Sequence, residues 1–491
     1  MLPYQTLILI DKNAATPVYQ QIANRLVGLI RDGIIKPGSF LPASREMATL
    51  LQLHRKTVVA AYDELIIQGW VETIPRKGVI VPANLPEIKP RTFNASFKIP
   101  AYAGSTGFTF NKIASHLPPP TKNGVHRIII NDGFPDTRMA PVDLLMKEYK
   151  NVFHNPAARN FVMYGDLAGS LNLRTSIAKF LTETRGLNIS ATNILLSRGA
   201  QMAIFMAARM ILRPGSIVLV GASNYFMADM VFEQFGAKLV RIPVDENGMD
   251  IDAIEKICKT KIPDLLYIIP HHHHPTTVTL SAERRMKLLS LIRKYRFPVI
   301  EDDYDYDFHY SSSPILPLAS ADHGGNVIYI GSLTKSLSPA IRVGYTVAPV
   351  NFIIETAQLR RMIDIRGDNL LEEALAVLLD KGDIQRHIKK SLKIYQVRRD
   401  MLCYSLEKKL GNAVSFSKPA GGLAIWVQFK KRYSLPKIAA RASAEGLFMN
   451  DGSIYSYGSE NQNALRMGFA SLNEQEINKA TDILGDIIRQ F

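Results

Sequence analysis

Cysteine is nearly absent. Two residues of this type, Cys258 and Cys403, in 491 exclude a disulfide framework and any zinc module built on four cysteines. Long hydrophobic runs are missing as well: no stretch approaches the ~20 apolar residues that a membrane helix needs. The first residues carry a short apolar stretch but neither a basic leader nor a small-residue cleavage site, so a cytoplasmic protein is expected. No internal repeat occurs, and no low-complexity tract beyond the four histidines 271–274. Acidic charge is the scarcer sign: 44 Asp and Glu against 59 Lys and Arg leave a net charge of +15. That excess favours polyanionic partners such as nucleic acid and is silent about fold. What remains is ordinary globular material, 47% hydrophobic and 21% charged, long enough for about three domains or for one small and one large.

The chain changes character twice. Residues 15–81 are dense in helical periodicity. Residues 82–125 are broken by Pro82, Pro86, Pro90, Pro100 and Pro118-Pro119-Pro120, and they carry Lys89, Arg91, Lys98, Lys112 and Lys122 against Glu87. This reads as a basic, proline-rich linker. From residue 126 to 491, β-branched runs at 217–220, 265–269, 297–300 and 326–330 alternate with amphipathic helices. Such alternation predicts an α/β body with a mostly parallel sheet.

In the head, residues 17–35 predict a helix with Val18, Ile22, Leu26, Leu29 and Ile30 on one face, ending near Gly33. A short helix follows from Ala43 or Ser44 to Leu51. A third, over 55–68, turns Val58, Val59, Tyr62, Leu65 and Ile66 inward. Residues 70–73 and 79–81 flank Pro75-Arg76-Lys77-Gly78 as a hairpin with a basic tip. Helix, helix-turn-helix and wing form a winged helix-turn-helix arrangement. Its P-x-Y-x-Q-I start at Pro17, its K-P-G-x-x-L-P turn at Lys36, its T-V-x-x-A-Y helix at Thr57 and its glycine-tipped wing resemble the GntR superfamily. Arg55, Lys56 and Thr57 open the third helix, where a recognition helix meets base edges. Arg45, Arg76, Lys77 and Gly78 are placed for phosphate or minor-groove contact. A solvated basic surface on a three-helix bundle would use the same residues.

In the body, Gly331-Ser332-Leu333-Thr334-Lys335-Ser336 follows a strand and precedes Arg342. A lysine among hydroxyl residues at a strand end suits covalent capture of an aldehyde, with the hydroxyls and arginine on a phosphate; a surface lysine in a loop would look the same. Upstream, the strand at 297–300 runs into Glu301-Asp302-Asp303-Tyr304-Asp305, carboxylates where open α/β sheets bind ligands. These motifs, with YGDLAGSLNLR at 164–174 and SRGAQMAI at 197–204, resemble the fold-type I pyridoxal 5′-phosphate enzymes of the aminotransferase class. The resemblance implies that Lys335 links to the cofactor, Asp302 faces the pyridine nitrogen, Tyr304 the phenolic oxygen, and Tyr225 stacks on the ring. It places Ser332, Arg342 and the backbone of Gly199, Ala200 and Gln201 at the phosphate. Arg466 would receive an effector carboxylate.

Two departures stand out. In the loop of residues 270–277, His272 keeps the family's histidine, His273 replaces a glutamine among the cofactor contacts, and Thr277 replaces a turn glycine. Met227 stands where some relatives carry a second effector-binding arginine, so a ligand with one carboxylate, or pyridoxal phosphate alone, is expected. On an extended segment the four histidines alternate in direction and cannot converge, so no metal site is expected.

A GntR-type head joined to an aminotransferase-like body resembles the MocR family of transcriptional regulators. That implies DNA binding, a small amine, amino acid or pyridoxal phosphate as effector, and a head-to-tail, domain-swapped homodimer. The alternative is a working aminotransferase with a DNA-binding appendage.

Overall fold

The computed structural model describes residues 2–14, 16–83, 85, 104–110, 113, 127–155, 161, 163, 165–310, 315–455 and 462–491. The chain divides into two compact units, Met1–Asn111 and Lys112–Phe491, and the division falls inside residues 82–125. Most of that stretch, its lysines and Arg91 included, lies outside the described residues, as does Tyr164.

In the first unit, helices α1 (Val18–Arg31), α2 (Ser44–Leu51) and α3 (Arg55–Ile67) precede an antiparallel pair, β1 (Glu72–Ile74) and β2 (Gly78–Ile80). Helix α1 buries Ile22, Leu26, Leu29 and Ile30, the stripe that its periodicity marked. Helix α3 buries Val58, Ala61, Tyr62 and Leu65. Val59 and Ile66 were expected inward and are exposed. The spacing 58, 61, 62, 65 already fills the inward arc of a 3.6-residue helix, which leaves 59 and 66 on its flank. The Tyr62 hydroxyl donates to the Pro42 carbonyl (2.8 Å) and ties α3 to the turn before α2. A one-turn helix, Tyr4–Leu7, adds Tyr4 and Ile8 to this core; no sequence pattern announced it.

In the second unit, among the described residues, seven strands form the main sheet: β3 (Ile194–Ser197), β4 (Ile217–Gly221), β5 (Lys238–Ile242), β6 (Leu265–Ile268), β7 (Val299–Asp302), β8 (Val327–Ser332) and β9 (Gly344–Val347). Their spatial order is β3-β9-β8-β7-β6-β4-β5. Strand β9 is antiparallel to both neighbours and the other pairings are parallel. Successive residues along these strands point to opposite faces. Val218, Tyr267 and Ile300 pack against α4 (Ala200–Ile211) and α5 (Phe226–Gln234) through Ile204, Ala207 and Phe232. Leu219, Leu266 and Val299 face the side of α6 (Ile251–Thr260) and α7 (Ala282–Tyr295), which contribute Ile254, Leu288 and Ile292. Helices on both faces explain why the strands read as continuous apolar runs and not as alternation.

A second, antiparallel sheet of β10 (Val414–Ser415), β11 (Ala424–Phe429) and β12 (Ala464–Gly468) shares one core with α8 (Asp383–Leu410) and α9 (Glu474–Arg489). Ile128–Ile129 pairs in parallel with Leu447–Phe448, which draws residues 131–136 towards this region. No described helix is long and apolar enough to cross a membrane.

Candidate functional site

The carboxyl ends of the parallel strands open on a cavity of about 290 Å³ whose lining includes Asp302, Lys335, Arg342, Ala200, Gln201 and Tyr225. Lys335 sits in the turn after β8. Its Nζ donates to the Gly133 carbonyl (2.8 Å) and stands 4.3 Å from the Phe134 ring centre. Burial pulls this amine down to about 8, against the opposing pull of Asp132. About one amine in ten is then neutral at pH 7, which for an ordinary lysine would be well under one in a thousand.

Asp302 ends β7. Its Oδ2 accepts from the Tyr267 hydroxyl (2.6 Å), and its buried Oδ1 has no hydrogen-bond partner. Burial pushes the carboxyl up to about 7, and the charges of Asp303 and Asp305 add to this. A buried acceptor in that condition suits a protonated ring nitrogen, whose charge would hold it ionised.

The opposite end of the cavity is built for an anion. Helix α4 starts after Gly199 with no side chain capping its N-terminus. Gly199 holds φ +81°, and a Cβ there would lie 2.7 Å from Arg342 Nη2. A Cβ on Gly344 would come within 2.5 Å of the Gly199 carbonyl carbon, so β9 and this turn touch backbone to backbone. Ser332 and Thr334 add hydroxyls to the lining, the Thr334 amide donating to Ser332 Oγ (3.1 Å). Arg342 Nη2 donates to the Arg198 carbonyl (3.2 Å) and leaves the rest of its planar fork for a ligand. Free amides at a helix start, hydroxyls and a guanidinium together make a phosphate cradle.

Tyr225 lies at the start of α5, its ring 5.2 Å from that of His274 in an edge-on contact. The Tyr304 hydroxyl donates to the His272 carbonyl (2.9 Å) and accepts from Arg466 Nη2 (2.8 Å).

The histidine loop departs from its expected form. It is not extended: His272 and Thr277 adopt φ of +45° and +63°. Thr277 therefore occupies the left-handed position that a glycine would fill without strain. Each histidine takes its own partner. His271 lies 3.3 Å from Asp303 and His272 2.9 Å from Asp305; His273 bonds Thr276 Oγ1 (2.8 Å) and His274 bonds Asp132 (2.7 Å). Among the described residues no group of side chains is arranged to hold a metal ion. His273, read as a cofactor contact, does not line the cavity; its Nε2 is buried against Gly221. The residue that lines it is His274, one position on, because the turn rotates the register of the loop.

Arg466 was read as a receptor for an effector carboxylate, and its fork is committed. Besides Tyr304, it donates to the carbonyls of Asp132 and Pro275 (3.4 Å each), and Nε stands 3.6 Å from Asp132 Oδ1. Asp132 and Phe134, which line the cavity, were missed. They come from residues 131–136, where Asn131 Oδ1 accepts from the amides of Gly133 and Phe134 and fixes the turn. The only sequence signal was an Asp-Gly pair before Pro135.

In the first unit, Arg45, Arg55, Lys56, Lys77 and Gly78 are exposed and Thr57 is half-buried. Arg55 and Lys56 open α3, where His54 Nδ1 accepts from the Lys56 amide (3.2 Å) and Arg55 Nε donates to Ser44 Oγ (3.3 Å). Lys77 and Gly78 form the tip between β1 and β2, with Arg76 at φ +65°.

This geometry puts the body in the class of aminotransferase-like domains of fold type I and the head in that of winged helix-turn-helix domains. The aminotransferase class I and II family matches residues 134–484, and the bacterial regulatory proteins of the gntR family match residues 18–81. The chain belongs to the aminotransferase class I and II family and carries a gntR-type head, the composition of MocR-type regulators. It is 27% identical over 475 residues to YdfD, an uncharacterized HTH-type transcriptional regulator of Bacillus subtilis, covering 97% of each chain. It is 24% identical over 484 residues to a probable rhizopine catabolism regulatory protein, MocR, of Rhizobium meliloti, covering 97% of this chain and 95% of that one. Among solved structures it resembles the kynurenine aminotransferase of Pyrococcus horikoshii, determined in complex with PMP. The TM-score is 0.69 at 27% identity, over 74% of this chain and 91% of that one.

Proposed function

We propose that this chain is a transcriptional regulator that binds operator DNA through its head and senses a small amine through pyridoxal 5′-phosphate held in its body. The observation that carries the reading is the convergence of Lys335, the half-satisfied Asp302 and the Gly199–Arg342 cradle on one cavity, in a chain that also bears a gntR-type head. Bound pyridoxal phosphate supplies an aldehyde that a primary amine can capture and a ring that withdraws electrons. Lys335, with its lowered proton affinity, would present a neutral amine to that aldehyde. Asp302 would hold a proton on the ring nitrogen, oriented by Tyr267. The amides of Ala200 and Gln201, with Ser332, Thr334 and Arg342, would hold the phosphate, and Tyr225 would cover the ring.

Arg55, Lys56 and Thr57 would reach base edges while Arg45, Lys77 and Gly78 meet the backbone. A regulator of this kind works where the chromosome is, in the cytoplasm. We take residues 82–125 as the linker between the two functions. A homodimer is supported by exposed apolar side chains on two helices of the body: Val142, Met146 and Phe153 on Val142–His154, and Ile354, Met362 and Ile363 on Val350–Asp364. Head-to-tail domain swapping rests on the MocR resemblance.

The test is a visible spectrum of the purified protein followed by operator binding with and without amines. A bound-cofactor band together with amine-dependent operator affinity supports the proposal. Steady keto-acid production at catalytic rates would make the protein an enzyme instead, and a switch by cofactor alone would make pyridoxal phosphate the effector.

A further inference from the structure

Arg466 and Asp132 present very different faces to the cavity. The Arg466 side chain is fully buried, and each of its three nitrogens has a protein acceptor within 3.4 Å. The planar fork that would otherwise take a carboxylate edge-on is used up. Asp132 keeps 30% of its side chain exposed and lines the cavity. Its two oxygens accept one short hydrogen bond each, Oδ1 from the Tyr455 hydroxyl (2.8 Å) and Oδ2 from His274 Nε2 (2.7 Å). An ionised carboxylate has about four acceptor positions, so this group can take further donors from a ligand. His274, driven towards its neutral form by burial, donates without cancelling the charge.

The neighbouring walls suit a cation too. Phe134, Tyr225 and Tyr304 line the same cavity, and the Lys335 ammonium already lies 4.3 Å from the Phe134 ring centre and 6.0 Å from that of Tyr304. Aromatic faces at these distances attract positive charge. Arg342, the exposed cation of the lining, belongs to the phosphate cradle at the far end. A ligand amine arriving beside Lys335 therefore meets a carboxylate and aromatic faces, and a ligand carboxylate arriving there meets repulsion from Asp132.

We infer that Asp132 determines the class of effector: a short diamine or similarly dicationic amine, and not an α-amino acid. The inference rests on the cofactor-site reading and replaces Arg466 as the residue that selects the ligand.

The experiment uses full-length protein loaded with pyridoxal phosphate and titrated with 1,4-diaminobutane, 1-aminobutane, 4-aminobutanoate and L-alanine, following the visible band. The same ligands are also titrated by thermal shift on the Lys335→Ala protein, in which no covalent exchange with the lysine occurs. Diaminobutane should act at concentrations at least tenfold below those of the other three. Asp132→Asn and Asp132→Ser should each abolish that advantage and strengthen alanine binding several-fold. Alanine or 4-aminobutanoate binding wild type more tightly than the diamine overturns the inference, as does a diamine advantage that survives in whichever Asp132 variant folds. Failure of the cofactor reading shows separately, as the absence of any visible band after incubation with pyridoxal phosphate. In that event the thermal shifts still decide whether Asp132 selects dications.

Discussion

Asp302 accepts a 2.6 Å hydrogen bond from the Tyr267 hydroxyl through one oxygen and buries the other with no partner. The tyrosine, on the adjacent strand β6, fixes the direction of the carboxylate, and the open oxygen is what a ring nitrogen would use. Asp302→Asn should weaken pyridoxal phosphate binding by about 1.5–3 kcal/mol, the worth of a hydrogen bond to a charged group. Tyr267→Phe, which removes only the orienting bond, should cost about 1 kcal/mol. Absorbance titrations measure both. Without cofactor the same carboxyl should make stability depend on pH. Its proton affinity is raised to about 7 in the fold by burial, from near 4 when unfolded. Between those values the folded state holds more protons than the unfolded one, so stability should fall as pH rises from about 4 to about 7. Asp302→Asn should flatten that fall without removing it, since Glu301 is also pushed up to about 7 by burial. Urea unfolding at pH 5 and pH 8 gives the comparison.

Lys335, with its proton affinity lowered to about 8 by burial, should set the pH dependence of cofactor uptake. The neutral amine is the nucleophile, so the rate of covalent incorporation should rise about tenfold per pH unit below 8 and level off above it. Stopped-flow absorbance between pH 6 and 9.5 follows this. Lys335→Ala should retain the fold and lose any cofactor linkage that borohydride reduction can trap. A trapped adduct of normal yield in that variant would move the attachment point to another residue.

The Gly199 turn can be tested by filling it. Gly199→Ala forces a side chain into φ +81° and to within 2.7 Å of Arg342. Backbone strain of about 1–3 kcal/mol and a displaced guanidinium should both fall on the phosphate end. Affinity for pyridoxal phosphate should drop at least tenfold, while affinity for pyridoxal, which has no phosphate, changes little. Equal losses for the two compounds would show that the turn serves the fold and not the phosphate.

How much of this was legible in the sequence depends on how local each determinant is. Strands β4, β6, β7 and β8 announce themselves as β-branched runs, and Asp302 and Lys335 follow from lying just past two of them. Gly199 is readable because the α4 start needs a glycine at its own position. Asp132 was not readable: its place is decided by Ile128–Ile129 pairing with Leu447–Phe448, more than 300 residues away. His274 was passed over for His273 because alternation holds only for extended backbone, and His272 and Thr277 turn out of it. The Arg466–Asp132 ion pair joins β12 to that same distant segment, and so the arginine looked free when its motif was read alone.

The two ends of the head should respond differently to mutation. Arg55 stands at the first turn of α3, exposed and held by Ser44 Oγ at 3.3 Å, which orients its fork away from the helix axis. Side chains so placed in helix-turn-helix domains reach base edges in the major groove. Arg55→Ala should therefore cost about 1–3 kcal/mol on the operator and flatten the preference at one base pair. Lys77 sits at the exposed tip between β1 and β2, where a flexible ammonium meets phosphate and reads no base. Lys77→Ala should weaken operator and random DNA to the same degree and reduce the slope of log affinity against log salt by about one. Fluorescence anisotropy on operator variants and on random duplex, across a salt series, separates the two behaviours. If Arg55→Ala lowers affinity for every sequence equally, Arg55 is a backbone contact like Lys77, and the base-reading residues of α3 must be sought at Lys56 and Thr57.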